Sequence, residues 1–204
     1  MKLINVLSGP LMVNSYIAWD ENSGDGFIVD PGGLNEKMKN IIKDENIDLK
    51  YIILTHGHGD HIGGVLPMKE MYGAQVVAAE AEVPMLKDPH YNMSADFGTP
   101  VSIDPDLKVK DGDTLKVGNM NLEFIMTPGH SPGGMCIKIG KILFSGDTLF
   151  QLSVGRTDFK GASMDVLINS IVEKLFALDD DTMVYPGHMG TTTIGFEKEH
   201  NPFV

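Results

Sequence analysis

Thr55-His56-Gly57-His58-Gly59-Asp60-His61 follows directly on Tyr51-Ile52-Ile53-Leu54, a run that reads as a buried strand. A lone histidine is ordinarily a solvated surface residue or a satisfied interior one, but here three imidazoles and a carboxylate fall within six positions. A loop at a strand end can turn several of these side chains inward. Neutral imidazole plus carboxylate is a ligand set suited to zinc, iron or manganese. Gly57 and Gly59, interleaved between the polar groups, are expected to adopt backbone angles that residues with side chains resist.

One loop cannot aim enough ligands at two ions, and the rest of the chain supplies more by repetition. Leu122 to Gly129 runs into His130, Lys141 to Gly146 runs into Asp147, and Thr182 to Gly187 runs into His188. Each is a strand, then a glycine, then a ligand-type side chain. Strand ends that deliver His or Asp at a turn hold reactive groups on a rigid sheet and leave the loops free to shape a pocket. Pro-Gly-His occurs twice, at 128–130 and 186–188, as part of this recurrence.

Around these motifs, short apolar runs alternate with turn clusters and a few helical stretches, which predicts an α/β chain with antiparallel strands. Strands are expected at 2–7, 12–19, 26–30, 50–54, 75–79, 114–117, 120–126, 135–139, 141–145 and 182–185. Helices are expected at 34–46, 62–72, about 80–87 and 163–178. Asn22-Ser23-Gly24-Asp25-Gly26 reads as a hairpin turn between the second and third strands. Residues 88–106, with Pro89, Pro100 and Pro105 beside Tyr91, Met93 and Phe97, are too long for an ordinary connection. They read as a lid or as an Ω-loop packed by its own aromatics.

With 204 residues and 42% hydrophobic content, the chain can bury one sizeable core, so one domain over 1–204 is expected. Its 28 acidic residues against 16 basic ones give a net charge of -12, which argues against nucleic acid as a partner. Cys136 is the one cysteine, lies in an apolar stretch and cannot form an internal disulfide. The first 19 residues are broken by Asn5, Ser8, Pro10 and Asn14, so no signal-peptide core forms. No run approaches the roughly 18 to 20 apolar residues of a membrane span. A soluble cytoplasmic protein without a membrane partner is expected, and its oligomeric state is open.

His56-x-His58-x-Asp60-His61 followed by His130, Asp147 and His188 resembles the complete ligand set of the metallo-β-lactamase superfamily. The resemblance implies an αββα sandwich of two mixed sheets flanked by helices. It also implies two divalent metal ions, zinc first, with iron or manganese open on the same ligands. Carried over position by position, His56, His58 and His130 hold one metal, Asp60, His61 and His188 hold the second, and Asp147 bridges both. The Asp30-Pro31-Gly32 turn matches as well, which makes Asp30 an acceptor that could fix the tautomer of a ligand histidine.

Thr55 to Gly64 and Gly146-Asp147-Thr148-Leu149-Phe150 are similar to motifs of glyoxalase II-like hydrolases. Gly155-Arg156-Thr157-Asp158 and the tail from Thr192 to Phe203 resemble the short bacterial branch of that group. The chain departs from the branch in Met189-Gly190, where Gly-Pro is usual, and in Lys198, where Arg is common. The implied chemistry is hydrolysis of a small-molecule ester or thioester by a hydroxide held at the two metals, with Asp60 and Asp147 as the catalytic carboxylates. Arg156 and Lys160 are candidate rim groups for a substrate carboxylate. Only 16 residues follow His188, too few for the helical domain that binds glutathione in the long form, so weak binding of the thiol carrier is expected. Two related activities stay open: a single-iron persulfide dioxygenase using His56, His130 and Asp147, and a lactonase. β-Lactam hydrolysis is set aside because the resemblance places Asp147 where β-lactamases do not carry aspartate.

Overall fold

The protein is described here by a computed structural model covering residues 1–204. Strands β1 (Lys2–Ser8), β2 (Val13–Trp19), β3 (Asp25–Val29), β4 (Asp48–Ile53), β5 (Gln75–Ala79) and β6 (Leu107–Val109) form one sheet in that order. The first three pair antiparallel, and β3 to β6 pair parallel. A second sheet contains β7 (Thr114–Val117), β8 (Met120–Met126), β9 (Met135–Ile139) and β10 (Ile142–Gly146). The chain then forms a small ribbon, β11 (Leu149–Phe150) with β12 (Ser153–Val154), before β13 (Met183–Pro186) and β14 (Thr192–Thr193) complete the second sheet. Its spatial order is β14-β13-β10-β9-β8-β7, and β10 with β13 is its one parallel pair.

Side chains alternate across a pleated strand, so each sheet has two faces to cover. On β2, Tyr16 and Ala18 turn toward the second sheet, where they pack with Phe27, Leu122, Phe124, Ile137 and Phe144. Ile17 and Trp19 turn the other way, onto helices α1 (Glu36–Asp44), α2 (Gly59–Ile62) and α3 (Val65–Tyr72), through Met38, Ile42, Ile62, Val65 and Met68. A five-residue helix, α4 (Val83–Lys87), follows β5. The outer face of the second sheet presents Cys136, Leu143 and Val184 to α5 (Met164–Ser170), to the π-helical turn Ile171–Leu175 and to α6 (Ile194–His200). The result is the four-layer αββα sandwich, with one apolar cluster between the sheets and one under each helical layer.

The expected elements hold with shifted ends. Helix α1 begins at Glu36 because Asn35 caps it, its side chain accepting from the Met38 amide at 3.0 Å. The expected helix 62–72 is two pieces, α2 and α3, divided at Gly63 and Gly64. Residues 80–87 split into a 3-10 turn and α4, and 163–178 becomes α5, capped by Ser163, running into the π-helical turn. Strands β6, β11, β12 and β14 and helix α6 were not expected. The first four have two or three residues, and α6 has seven, fewer than a periodic pattern needs to stand out.

Residues 88–106 form an anchored loop, but its own aromatics do not pack it: Phe97 is 41% exposed and Tyr91 is only half-buried. Val101 and Ile103 enter the core under α3, and Asn92 is buried with its side chain donating to Leu86 and Val101 carbonyls. Met93 and Phe97 project from this anchored body toward the cavity described below.

Candidate metal centre

The edge of the sandwich where β4, β8, β10 and β13 end collects all seven expected side chains. Three groups of potential ligand atoms lie within 4.8 Å of one another: His56, His58 and His130; Asp60, His61 and His188; and Asp30, His56 and His61. The Asp147 carboxylate lies between the first two groups, 3.7 Å from His130 Nε2, 3.4 Å from His61 Nε2 and 3.7 Å from His188 Nε2. The third group is of another kind. Both Asp30 oxygens are taken up, accepting from the Thr55 amide at 2.8 Å and from the Thr55 hydroxyl at 2.5 Å, with His61 Nδ1 at 3.0 Å. Asp30 therefore supports the ring and does not complete a site.

These supports fix the tautomers. Asp30 can only accept, so His61 carries a proton on Nδ1, which leaves Nε2 as the atom facing Asp60 and Asp147. The Thr55 hydroxyl donates to Asp30, so it accepts from His56 Nδ1 at 3.0 Å, and His56 also keeps Nε2 free. His130 Nδ1 donates to the Arg156 carbonyl at 2.7 Å, which turns its Nε2 lone pair toward His58 Nδ1 at 2.9 Å. The Nε2 atoms of His56, His58 and His61 and Oδ1 of Asp147 are buried without a hydrogen-bond partner. Buried polar atoms are seldom left unpaired, so these orphaned atoms, beside the ligand groups on either side of Asp147, fit the binding of metal cations.

The charge states agree with that fit. Burial, reinforced by the neighbouring imidazoles, holds His56 well below the usual histidine range and His58 down to about 3. Burial also lowers His130, against the pull of Asp147. Burial would lower His61 too, but Asp147 and Asp60 outweigh it and raise this one group. Burial opposes ionisation of Asp60 and Asp147, yet the surrounding imidazoles hold both below the ordinary carboxylate range. Three neutral imidazoles and two carboxylates, with His61 positive until a cation replaces its proton, are what a cationic centre requires.

Local sequence explains how the ligands reach these positions. Gly146 precedes Asp147 with φ +50°, and a Cβ there would lie 2.2 Å from Thr55 Oγ1. Gly187 precedes His188, and its Cβ would lie 2.4 Å from Asp147 Oδ1 and 2.6 Å from His61 Cε1. For Gly57 and Gly59 the expected reason was wrong, since neither has a positive φ. They are small because of close approach: a Cβ on Gly59 would meet the Ser94 backbone at 2.7 Å, and one on Gly57 would press on Leu86 and Met85 at 3.2 Å.

Two supports escaped the sequence reading. Glu82, 1% exposed, accepts from the Gly57 amide at 2.8 Å and the Gly133 amide at 2.6 Å, tying the His56–His61 loop to the His130 loop. Burial raises its pKa. Asn14 on β2 donates to the Pro186 and Met189 carbonyls, both at 3.0 Å, and Tyr16 donates to Pro186 at 2.7 Å, which clamps the His188 loop. The available signal was Asn14-Ser15 inside an otherwise apolar strand whose residues are all buried. The tail is explained likewise. Buried Glu197 on α6 accepts from the Leu152 amide at 2.9 Å and, with Asn201, holds the β11–β12 ribbon beside the site.

A cavity of about 430 Å³ opens above the centre, floored by His58, Asp60, His130, Asp147 and His188. Arg156 lines it, as expected, but is engaged bidentately by Asp158 at 3.0 and 2.7 Å and lies 4.7 Å over the Phe159 ring. Lys160 is not in the lining; its ammonium sits 4.8 Å over the Tyr91 ring on the surface, which corrects its assignment to the rim. Cys136 is fully buried between sheet and helix, and burial pushes its thiol up to about 11, so it is no nucleophile. His90 and His200 are exposed, away from the centre.

A chain with this sandwich and this edge is a metallo-beta-lactamase superfamily member, and residues 8–188 match that family. The resemblance read from the motifs is thereby established. Among curated proteins, the chain is 36% identical over 197 residues to hydroxyacylglutathione hydrolase GloC of Haemophilus influenzae, covering 94% of this chain and 92% of the relative. Among solved structures it is similar to BLEG-1 B3 metallo-beta-lactamase, with a TM-score of 0.92, 36% identity and 99% of each chain covered. It is also similar to TTHA1623 in a di-iron-bound form, with a TM-score of 0.86, 32% identity, and 98% of this chain and 100% of the other covered. No helix is long and apolar enough to cross a membrane.

Proposed function

We propose that the chain is a binuclear metal-dependent hydrolase acting on thioesters of the hydroxyacylglutathione type, in the cytoplasm. The observation that carries this reading is the pair of ligand groups on either side of Asp147 at the floor of one cavity. The likeness to GloC supports the thioester class. His56, His58 and His130 would hold one cation, Asp60, His61 and His188 the other, and Asp147 both. When bound, two cations supply Lewis acidity and a water whose pKa falls toward about 7.

The chain's own groups do the positioning. Asp30, Thr55 and the Arg156 carbonyl keep a nitrogen lone pair of His61, His56 and His130 turned inward at every step. Asp60, with Oδ2 3.3 Å from His188 and 3.6 Å from His61, is ionised at neutral pH and can orient the attacking water. A thiolate is a good leaving group, so no residue is required to protonate it. Zinc is the first choice of metal, and the di-iron form of a structural neighbour supports iron equally.

A second reading has a specific finding behind it. The similar structure described as a B3 metallo-beta-lactamase weighs against setting β-lactam hydrolysis aside on the strength of Asp147. Elemental analysis of zinc- and iron-loaded protein, with assays on S-lactoylglutathione, simple thioesters, a lactone, a β-lactam and a persulfide with oxygen, tests both. Two metals per chain and thioester turnover with a high KM are expected. Metal content that never exceeds one equivalent, or no thioester cleavage in either form, overturns the proposal.

A further inference from the structure

Above the five charged or ligating side chains of its floor, the cavity offers two polar side chains, Ser153 and Arg156. Arg156 is paired with Asp158 and largely exposed to water. The remaining lining is Leu11, Met93, Phe97, Phe150, Val154 and Met189, with Phe159 packed edge-on to the His58 and His130 rings at 5.0 and 5.9 Å. Leu11, Phe97 and Met189 are 52%, 41% and 61% exposed. Three large apolar side chains left in water around the mouth of one pocket mark a surface that a ligand covers.

These residues come from five separate segments: the β1–β2 loop, the Ω-loop, the β11–β12 ribbon, the connection from β12 to α5 and the loop after His188. Three of them are fastened behind the apolar residues they present. Asn92 anchors the segment bearing Met93, Asn14 holds the carbonyl of Met189, and Glu197 holds the ribbon at Leu152. The apolar wall is therefore built, and at about 430 Å³ it lies within the size range of small-molecule sites.

We propose that this wall is an acyl pocket, and that the preferred substrates carry an unbranched apolar acyl group of about four to eight carbons in place of a short 2-hydroxyacyl group. The proposal rests on the thioesterase reading and replaces the hydroxyacyl part of it. A carbonyl carbon placed over Asp60 and Asp147 puts its substituent against this wall. A hydroxyl on the adjoining carbon would find Ser153 as the one neutral polar side chain in the lining, whereas each methylene would leave water for apolar contact. A fully buried methylene contributes about 0.8 kcal/mol, close to fourfold, and a half-buried one about twofold.

The test uses metal-loaded full-length protein and N-acetylcysteamine thioesters of acetate, butanoate, hexanoate and lactate, so that the thiol stays constant and uncharged. kcat/KM is expected to rise about two- to fourfold per methylene, at least about sixteenfold from acetyl to hexanoyl, with lactoyl near acetyl. Calorimetric binding of hexanoate against acetate gives a reading independent of turnover, with hexanoate at least about tenfold tighter. Phe97→Ala and Met93→Ala, separately, should shrink both ratios severalfold. A flat or falling chain-length profile, equal binding of the two carboxylates, or ratios untouched in both variants overturns the acyl pocket. If no thioester is cleaved, the thioesterase reading fails, and the hexanoate-to-acetate binding ratio still decides the pocket.

Discussion

Replacing Asp30 by Asn isolates the charge behind the metal centre. Asp30 sits at φ +48°, a left-handed conformation that Asn also tolerates, so the backbone should accept the change. The side chain is 1% exposed and meets three donors: the Thr55 amide, the Thr55 hydroxyl and His61 Nδ1. If the new amide nitrogen takes the place of Oδ2, it opposes both the hydroxyl and His61. If it takes the place of Oδ1, it opposes the Thr55 amide. Either orientation leaves at least one buried donor unpaired, which costs about 1–3 kcal/mol. Because Thr55 relays Asp30 to His56, both ligand groups should feel the change, with a loss of about 10–100-fold in zinc affinity at each. Thr55→Val should cut only the His56 arm and weaken chiefly the His56–His58–His130 group. Competition titration with a chromogenic chelator measures both affinities, and circular dichroism checks the fold. Zinc affinity in Asp30→Asn within threefold of the parent would refute the claim that these hydrogen bonds prepare the ligands.

Asp147→Asn removes the charge shared between the two ligand groups and should lower turnover by several orders of magnitude with the fold intact; near-normal rates would mean Asp147 does not bridge. His58→Ala should depopulate the first metal and His188→Ala the second, as read by elemental analysis, and equal loss of both in each variant would call for a different partition. Gly187→Ala places a Cβ 2.4 Å from Asp147 Oδ1 and 2.6 Å from His61 Cε1, so metal should be lost, and the crowding of two buried side chains should lower the melting temperature of the metal-free protein as well. In chelator, stability should fall as pH drops below about 6.5, because unfolded imidazoles take up protons there while His56, His58 and His130, all lowered in the fold, do not. Three such groups give a slope of up to about 4 kcal/mol per pH unit. His61, raised in the fold, keeps its proton and adds nothing to this loss; a flat melting temperature between pH 7 and 5 would refute it.

The candidate ligands were legible as a cluster because each announces itself locally. Four occupy six consecutive positions after an apolar run, and the other three repeat the order strand, glycine, ligand. Their supports were not, because a support is defined by a contact far away in sequence. Glu82 looks like one acidic residue in a short helix until it is seen to accept from Gly133, 51 positions on. Asn14 reads as an interruption of an apolar stretch until Pro186, 172 positions away, faces it. Lys160 failed for the opposite reason: nearness in sequence to Arg156 did not bring it to the cavity, and its ammonium lies over the Tyr91 ring at the surface.

The distribution of ligands also says when the centre can exist. His56, His58, Asp60 and His61 follow β4 in the first sheet, whereas His130, Asp147 and His188 follow β8, β10 and β13 in the second. Neither ligand group is complete on one sheet. The sheets are stitched at this same edge by the Met135 amide on the Thr55 carbonyl at 2.9 Å, and by the Asn14 amide on the Gly187 carbonyl at 2.8 Å. The first bond sits beside His56 and the second beside His188, one for each proposed cation. The apolar packing of Phe27, Phe124 and Phe144 brings the sheets face to face, these bonds set their register at the edge, and Asp30, Thr55 and Arg156 then turn the imidazoles. On the proposed assignment, metal affinity would depend on the inter-sheet packing, and a cation bridging the sheets would stabilise that packing in return.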